Sequence, residues 1–336
     1  MDPSKYKTTI TSRGITYSYY FAPPKPSKPA ILFCHGFPST ARDWEKEALF
    51  FEERGYGIIV PDMLGYGDTS KPTNVDAYIP SLISKDLVEL LDAEGIQKAI
   101  AIGHDWGAKA VSRLANHHPE RFYAYAFLAV PFWAPRPPMD HDEFLKQIKA
   151  RYGYELFGYW EYYASGEFDG DFRAHSDAVF HIVYPTDPAV WVTHWAPRGA
   201  LKSTILSDFN TPLPTYRTEE DKKTFIDLFT KNGFDAPTQW YAVMTSKKSA
   251  EDDMRTIPEN HRFPPVNVPI FFGAARDDGV CTPQLGYDAF AVEEFKHHNV
   301  TIREFDGGHW IIFSHADEIN KELLSWIEGT VNVKIN

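Results

Sequence analysis

Lys98-Ala99-Ile100-Ala101-Ile102-Gly103-His104-Asp105-Trp106-Gly107-Ala108-Lys109-Ala110-Val111 is the stretch that decides the fold of this chain. Its first five residues are an apolar run of the kind that forms a buried strand, and Ala108 to Leu114 has helical spacing. Between them stands a small-x-nucleophile-x-small pentapeptide, Gly103 to Gly107, the pattern of a nucleophile elbow. Glycines let the chain turn tightly enough to lift Asp105 out at the start of the helix. Free N–H groups and the positive end of the helix dipole there favour an ionised carboxylate. An aspartate in the place usually held by serine changes the chemistry. It attacks a saturated carbon bearing a leaving group and is a poor opener of amides and simple esters. Asp105 is therefore the expected nucleophile.

Working outward, strand-like and helix-like segments alternate. Thr8 to Thr11 and Ile15 to Phe21 flank Arg13-Gly14 as a hairpin. Ala30 to Cys34 and Gly57 to Val60 are short, wholly apolar runs, as in parallel strands covered on both faces. Arg42 to Arg54 and Tyr78 to Glu94 carry helical periodicity. Tyr123 to Val130, Val268 to Phe272 and Val300 to Phe305 read as further strands, with closing helices over Leu285 to Phe295 and Ala316 to Ile327. Strands alternating with helices predict an α/β fold around a doubly wound, largely parallel sheet.

One region departs from this alternation. Pro131 to Pro138 holds four prolines, and from there to about Arg255 the sequence is helical and aromatic. Residues 134–256 are read as a helical cap inserted after the sixth strand, with 1–133 and 257–336 forming the core domain. Sheet signals resume after the insertion, which argues against two successive domains.

The 336 residues suffice to bury a sizeable core, and aromatics make up 15% of them. A formal charge of −12 speaks against nucleic acid and anionic membrane surfaces as partners. Two cysteines, Cys34 and Cys281, give no disulfide framework. Neither an apolar signal region nor a membrane-length apolar run is present, so a soluble, cytoplasmic protein is expected. The sequence leaves the oligomeric state open. No Cys/His cluster has metal-ligand spacing, and neither a metal nor an organic cofactor is expected.

Three further motifs fall at strand ends, where open parallel sheets place their ligands. His35-Gly36-Phe37-Pro38 follows the Ala30 strand, so the backbone N–H groups of Phe37 and Trp106 can form an oxyanion hole. Gly307-Gly308-His309-Trp310 follows the last strand and puts His309 on a flexible loop, suited to a base. Asp277-Asp278-Gly279-Val280 follows the Val268 strand, where either aspartate could orient His309.

Nucleophile, acid and histidine in this order, together with Asp62-Met63-Leu64-Gly65-Tyr66-Gly67, resemble the epoxide hydrolase family of α/β-hydrolases over nearly the whole chain. The resemblance implies a mostly parallel eight-stranded sheet flanked by helices, with an inserted helical cap. It selects Asp278 as the acid, because Asp278-Gly279-Val280-Cys281-Thr282-Pro283 fits the family's Asp-x-Val-x-x-Pro pattern. It also implies two cap tyrosines that hold an epoxide oxygen. Tyr154-Glu155-Leu156-Phe157 is matched to the family's Tyr-Gln-x-Tyr/Phe segment and Gln239-Trp240-Tyr241 to its Asn-Trp-Tyr triplet. Tyr154 and Tyr241, with Phe37 and Trp106, are thus the expected contacts to a small epoxide substrate, and water is the second reactant. The alternatives are a haloalkane or haloacid dehalogenase using the same Asp–His–Asp triad, and a non-catalytic ligand receptor on the same fold.

Overall fold

The computed structural model describes residues 1–331; the last five residues assigned to the core domain, 332–336, lie outside them. Eight strands form one sheet: β1 (Tyr6–Ile10), β2 (Thr16–Ala22), β3 (Ala30–Cys34), β4 (Gly57–Pro61), β5 (Ala99–His104), β6 (Phe122–Leu128), β7 (Ile270–Ala275) and β8 (Val300–Phe305). Their spatial order is β1-β2-β4-β3-β5-β6-β7-β8. The pairs from β4 through to β8 are parallel, whereas β2 runs antiparallel to both β1 and β4. The continuously apolar runs lie where they should. β3, β4, β5 and β7 are buried along their whole length, while β8, at the edge, keeps three residues exposed.

Helices α1 (Glu45–Glu53), α2 (Pro80–Ala93) and α3 (Trp106–His117) connect the first strands. The expected Arg42 helix starts as a tight turn, Ala41–Trp44, where the Asp43 carboxylate accepts from the Thr40 N–H at 3.1 Å. Between β6 and β7, among the described residues, lie nine α-helices and no strand, running from α4 (His141–Tyr152) to α12 (Lys248–Thr256). The chain closes with α13 (Pro283–Phe290), α14 (Ile311–Ser314) and α15 (Ala316–Thr330). Here the structure shortens the expected Leu285–Phe295 helix. Val292 is extended, at φ −69° and ψ 153°, and a following short turn swings Phe295 into contact with Phe132, Phe263 and Phe290. Burial of that ring outweighs continuation of the helix. Among the described residues no helix is long and apolar enough to cross a membrane.

β5 sits near the middle of the sheet, between β3 and β6, and α3 begins directly at its C-terminal end. That junction positions everything that follows.

Candidate active site

Asp105 is the residue between β5 and α3, and its backbone is left-handed at φ 54° and ψ −125°. A non-glycine residue held there stores strain that the surrounding packing must sustain. The packing leaves no slack. A Cβ on Gly107 would run into the Cys34 carbonyl, and one on Gly36 into the Asp105 carboxylate itself. The loop after β3 can therefore lie directly against Asp105. From it the Phe37 N–H donates to Asp105 Oδ1 at 2.8 Å. Burial pushes the Asp105 carboxyl above its usual range, while the nearby His309 and the N–H groups of Trp106 and Phe37 pull it back toward ionisation.

That loop is itself pinned. His35 Nε2 accepts the Met63 N–H at 2.9 Å, so its Nδ1–H donates to Gly36 O, and burial lowers its pKa to about 4. Asp62 accepts from the Ala41 N–H through one oxygen and the Asp68 N–H through the other. The Asp62–Gly67 motif thus supports the loop, and its Tyr66 ring packs edge-on against His35 at 4.9 Å.

His309 arrives on the loop after β8. Its Nδ1 lies 2.6 Å from Asp278 Oδ2, and its Nε2 lies 3.6 Å from Asp105 Oδ2. Asp278 is held in turn by the Val280 and Cys281 N–H groups, both on Oδ1, at 2.8 and 2.9 Å. Burial opposes the imidazolium, but Asp278 and Asp105 outweigh it and raise the His309 pKa. Asp277, the other candidate acid, is exposed to solvent. His104, which the sequence reading passed over, donates from Nε2 to the His309 carbonyl at 2.8 Å and fixes its loop.

The aromatic roof is where structure and expectation part. Tyr241, on α11 (Gln239–Thr245), is buried, and its ring lies 5.0 Å from those of both Phe37 and Trp106. Burial holds its phenol well above the usual pKa, and Tyr159, Asp105, Tyr163 and Tyr66 push it the same way, so it is a hydrogen-bond donor. Tyr154 is not brought to this cluster. It follows the glycine that ends α4, and its half-buried hydroxyl donates to the Gly279 carbonyl at 2.8 Å, next to Asp278 in the chain. Tyr159 occupies the position instead. It lines the pocket that contains Asp105, its ring is 5.8 Å from that of Tyr241, and the Asp105 charge acts on its phenol. Tyr159-Trp160-Glu161-Tyr162 has the same Tyr-x-x-aromatic spacing as the segment chosen from the sequence. That repeat was the available signal for it.

The pocket is also lined by Trp106, Lys109, Val130, Trp133, Phe157, Trp160 and Cys281. Burial, Asp278 and Asp105 keep the Cys281 thiol well above its usual pKa, so it acts as a small neutral wall. Val130, Trp133, Phe157 and Cys281 are shared with an adjoining cavity of about 480 Å³, whose other walls include Phe132 and Leu285 but also Arg136, Arg151 and Asp288. Asp105 therefore sits beside His309, which is bonded to Asp278, at a pocket walled largely by aromatic side chains, Tyr159 among them.

The description "alpha/beta hydrolase fold" belongs to the family model that matches residues 29–177. The chain is 28% identical over 314 residues to bifunctional epoxide hydrolase 2 of Mus musculus, covering 91% of this chain and 52% of that protein. It thus spans about half the length of that relative. It is 32% identical over 238 residues to epoxide hydrolase 2 of Siraitia grosvenorii, covering 70% of this chain and 71% of the relative. Among solved structures, epoxide hydrolase A from Mycobacterium thermoresistibile superposes with a TM-score of 0.75 at 27% identity, covering 96% of this chain and 98% of that one. With its elbow, its parallel sheet and these relatives, the chain belongs to the epoxide hydrolase family of the α/β-hydrolase fold.

Proposed function

We propose that this protein hydrolyses epoxides to vicinal diols through a covalent ester on Asp105. The observation that carries the reading is the unequal environment of the two carboxylate oxygens. Oδ1 is bound by the Phe37 N–H, while Oδ2 is left facing the chamber near His309. Oδ2 attacks an oxirane carbon, and Tyr159 and Tyr241 hydrogen-bond the ring oxygen as it becomes an alkoxide. One of the two phenols passes its proton to that oxygen. Oδ1 is then the ester carbonyl oxygen, already beside the N–H groups of Phe37 and Trp106 that stabilise the tetrahedral oxyanion.

Esterification removes the Asp105 charge, one of the two that favour the His309 cation. His309 becomes readier to act as a base at the stage that needs one. It takes a proton from water, Asp278 stabilises the resulting imidazolium, and hydroxide adds to the ester carbonyl. Collapse expels the oxygen that was Oδ2, which takes the proton from His309 as the diol leaves, and the proton of the added hydroxide returns to the phenolate, so carboxylate, imidazole and phenol are all restored.

Residues 134–256 act as a cap in this reading, supplying the tyrosines and closing the chamber. Its attachment to the core includes the Trp240 indole N–H, which donates to the Leu64 carbonyl at 2.9 Å. Two buried free cysteines suit a reducing, cytoplasmic setting.

Dehalogenation is the second reading, because the buried indole N–H groups of Trp106 and Trp160 have no hydrogen-bond partner among the described residues and could grip a halide. Incubation with styrene oxide and with 1-bromobutane separates the two. Diol without bromide is expected; bromide release with the epoxide untouched overturns the assignment.

A further inference from the structure

Lys109 is a buried cation that the reaction described above does not use. It lies one helical turn after Asp105 on α3, its side chain is 5% exposed, and it lines the same pocket as the nucleophile. Side chains on a helix lean toward its N-terminus, and residues four apart have Cβ atoms roughly 5–6 Å from each other. The ammonium group lies over the ring of Trp133, another wall of that pocket, 5.5 Å from its centroid.

Its charge is poorly matched by the protein. Among the described residues, the one carboxylate in contact is Asp253 on α12, whose Oδ2 lies 3.5 Å away. Both oxygens of Asp253 are already engaged by Arg113, Nε reaching Oδ1 at 2.6 Å and Nη2 reaching Oδ2. A charge-assisted N–H···O bond is normally about 2.7–2.9 Å, so Lys109 shares a partner and owns none. Two cations against one carboxylate leave a buried excess of one positive charge. Trp133 offers its ring face at 5.5 Å, and Arg136 adds positive charge nearby. Burial, reinforced by Arg113, lowers the Lys109 pKa to about 7, even though Asp253 opposes the shift. Burial of an incompletely paired ammonium is costly unless something else supplies the counter-charge.

We propose that Lys109 anchors an anionic oxygen group on the substrate, so that this site selects epoxides carrying a carboxylate within a few bonds of the ring. The inference rests on the epoxide hydrolase reading for its chemistry but not for its binding step. Trp133 and Phe157 also wall the adjoining cavity of about 480 Å³, which has room for an aryl group on the same molecule. The groups that face the ammonium are Asp253 from α12, Arg113 from its own helix, and Trp133 and Arg136 from the segment after β6. A bound carboxylate restores the missing partner and holds Lys109 protonated; with rising pH the free protein loses the charge and the preference weakens.

The test uses two matched pairs. Calorimetric titration of the wild type at pH 6 with 4-phenylbutanoate and 4-phenylbutanamide is expected to give at least tenfold tighter binding of the acid, declining by pH 9. Turnover of 3,4-epoxy-4-phenylbutanoate and its primary amide is expected to favour the acid at least tenfold in kcat/KM. Lys109→Met should lower that acid-to-amide ratio by tenfold or more. Equal binding of acid and amide by the wild type overturns the proposal, without needing any variant to fold. A turnover ratio that Lys109→Met leaves within twofold of wild type overturns it too. Preferential binding of the acid with no diol from either epoxide would support the Lys109 anchor and overturn the hydrolase reading.

Discussion

Nε2 of His309 stands 3.6 Å from Oδ2 of Asp105, and its Nδ1 is bonded to Asp278 at 2.6 Å. The first separation is longer than a hydrogen bond, so the imidazole is tied to its acid and not to the nucleophile. It is free to face a water molecule. Because Asp278 and Asp105 raise its folded pKa, His309 stays protonated, and useless as a base, to a higher pH than a free histidine. Activity should fall as pH drops through the raised value that Asp278 alone sustains once Asp105 is esterified. Asp278→Asn removes one of the two carboxylates, so the acid limb of the kcat profile should move to lower pH. The rate at the plateau should fall by about 10²–10⁴. An unmoved limb would take the base role away from His309.

The tyrosine assignment yields a sharper comparison. Tyr159→Phe and Tyr241→Phe each remove a donor to the ring oxygen and should lower kcat by about tenfold to a hundredfold, with the double variant losing at least 10³. Tyr154→Phe removes only the bond to the Gly279 carbonyl, whose loss should cost about 1 kcal/mol of stability and less than fivefold in kcat. If Tyr154→Phe is the damaging one, the tyrosine expected from the sequence is restored.

The ion pair between Arg113 and Asp253 joins α3 of the core to α12 and is buried on both sides, at 1% and 2% exposure. Arg113→Met leaves Asp253 with only the long contact to Lys109. Removing one partner of such a pair should cost about 3–5 kcal/mol, read as a lowered denaturant midpoint.

Glu47 on α1 is fully buried, and neither carboxyl oxygen has a hydrogen-bond partner among the described residues. Burial raises its pKa to about 8. Unfolding lowers that value, so the folded state binds the proton more tightly and loses stability as pH rises from the ordinary carboxyl range through 8. Glu47→Gln cannot ionise. It should stabilise the protein by roughly 2–4 kcal/mol at pH 8 and by little at pH 4.5, measured by denaturation at both.

What the sequence could and could not convey follows from range. The elbow, the oxyanion loop and the order Asp105, Asp278, His309 were legible because each is a short motif at a strand end, and the parallel sheet brings those ends together whatever lies between. The register of the cap was not. Tyr154 and Tyr159 share one local pattern, and only the packing of Tyr159 against Tyr241 distinguishes them. Lys109 was hidden for the same reason. On a helix it reads as a solvated charge, and its burial depends on Trp133 and Asp253, the latter 144 residues further along. The split of the α13 region likewise depends on aromatic partners as distant as Phe132.

The ester on Asp105 is the central claim, and trapping it is the most direct measurement. His309→Gln leaves the nucleophile and the oxyanion donors in place but removes the base for the second step. After mixing with styrene oxide, intact mass should increase by one substrate, and proteolysis should place the addition on the peptide containing Asp105. An unmodified protein that still forms diol, or an adduct mapped to any other residue, would contradict the account.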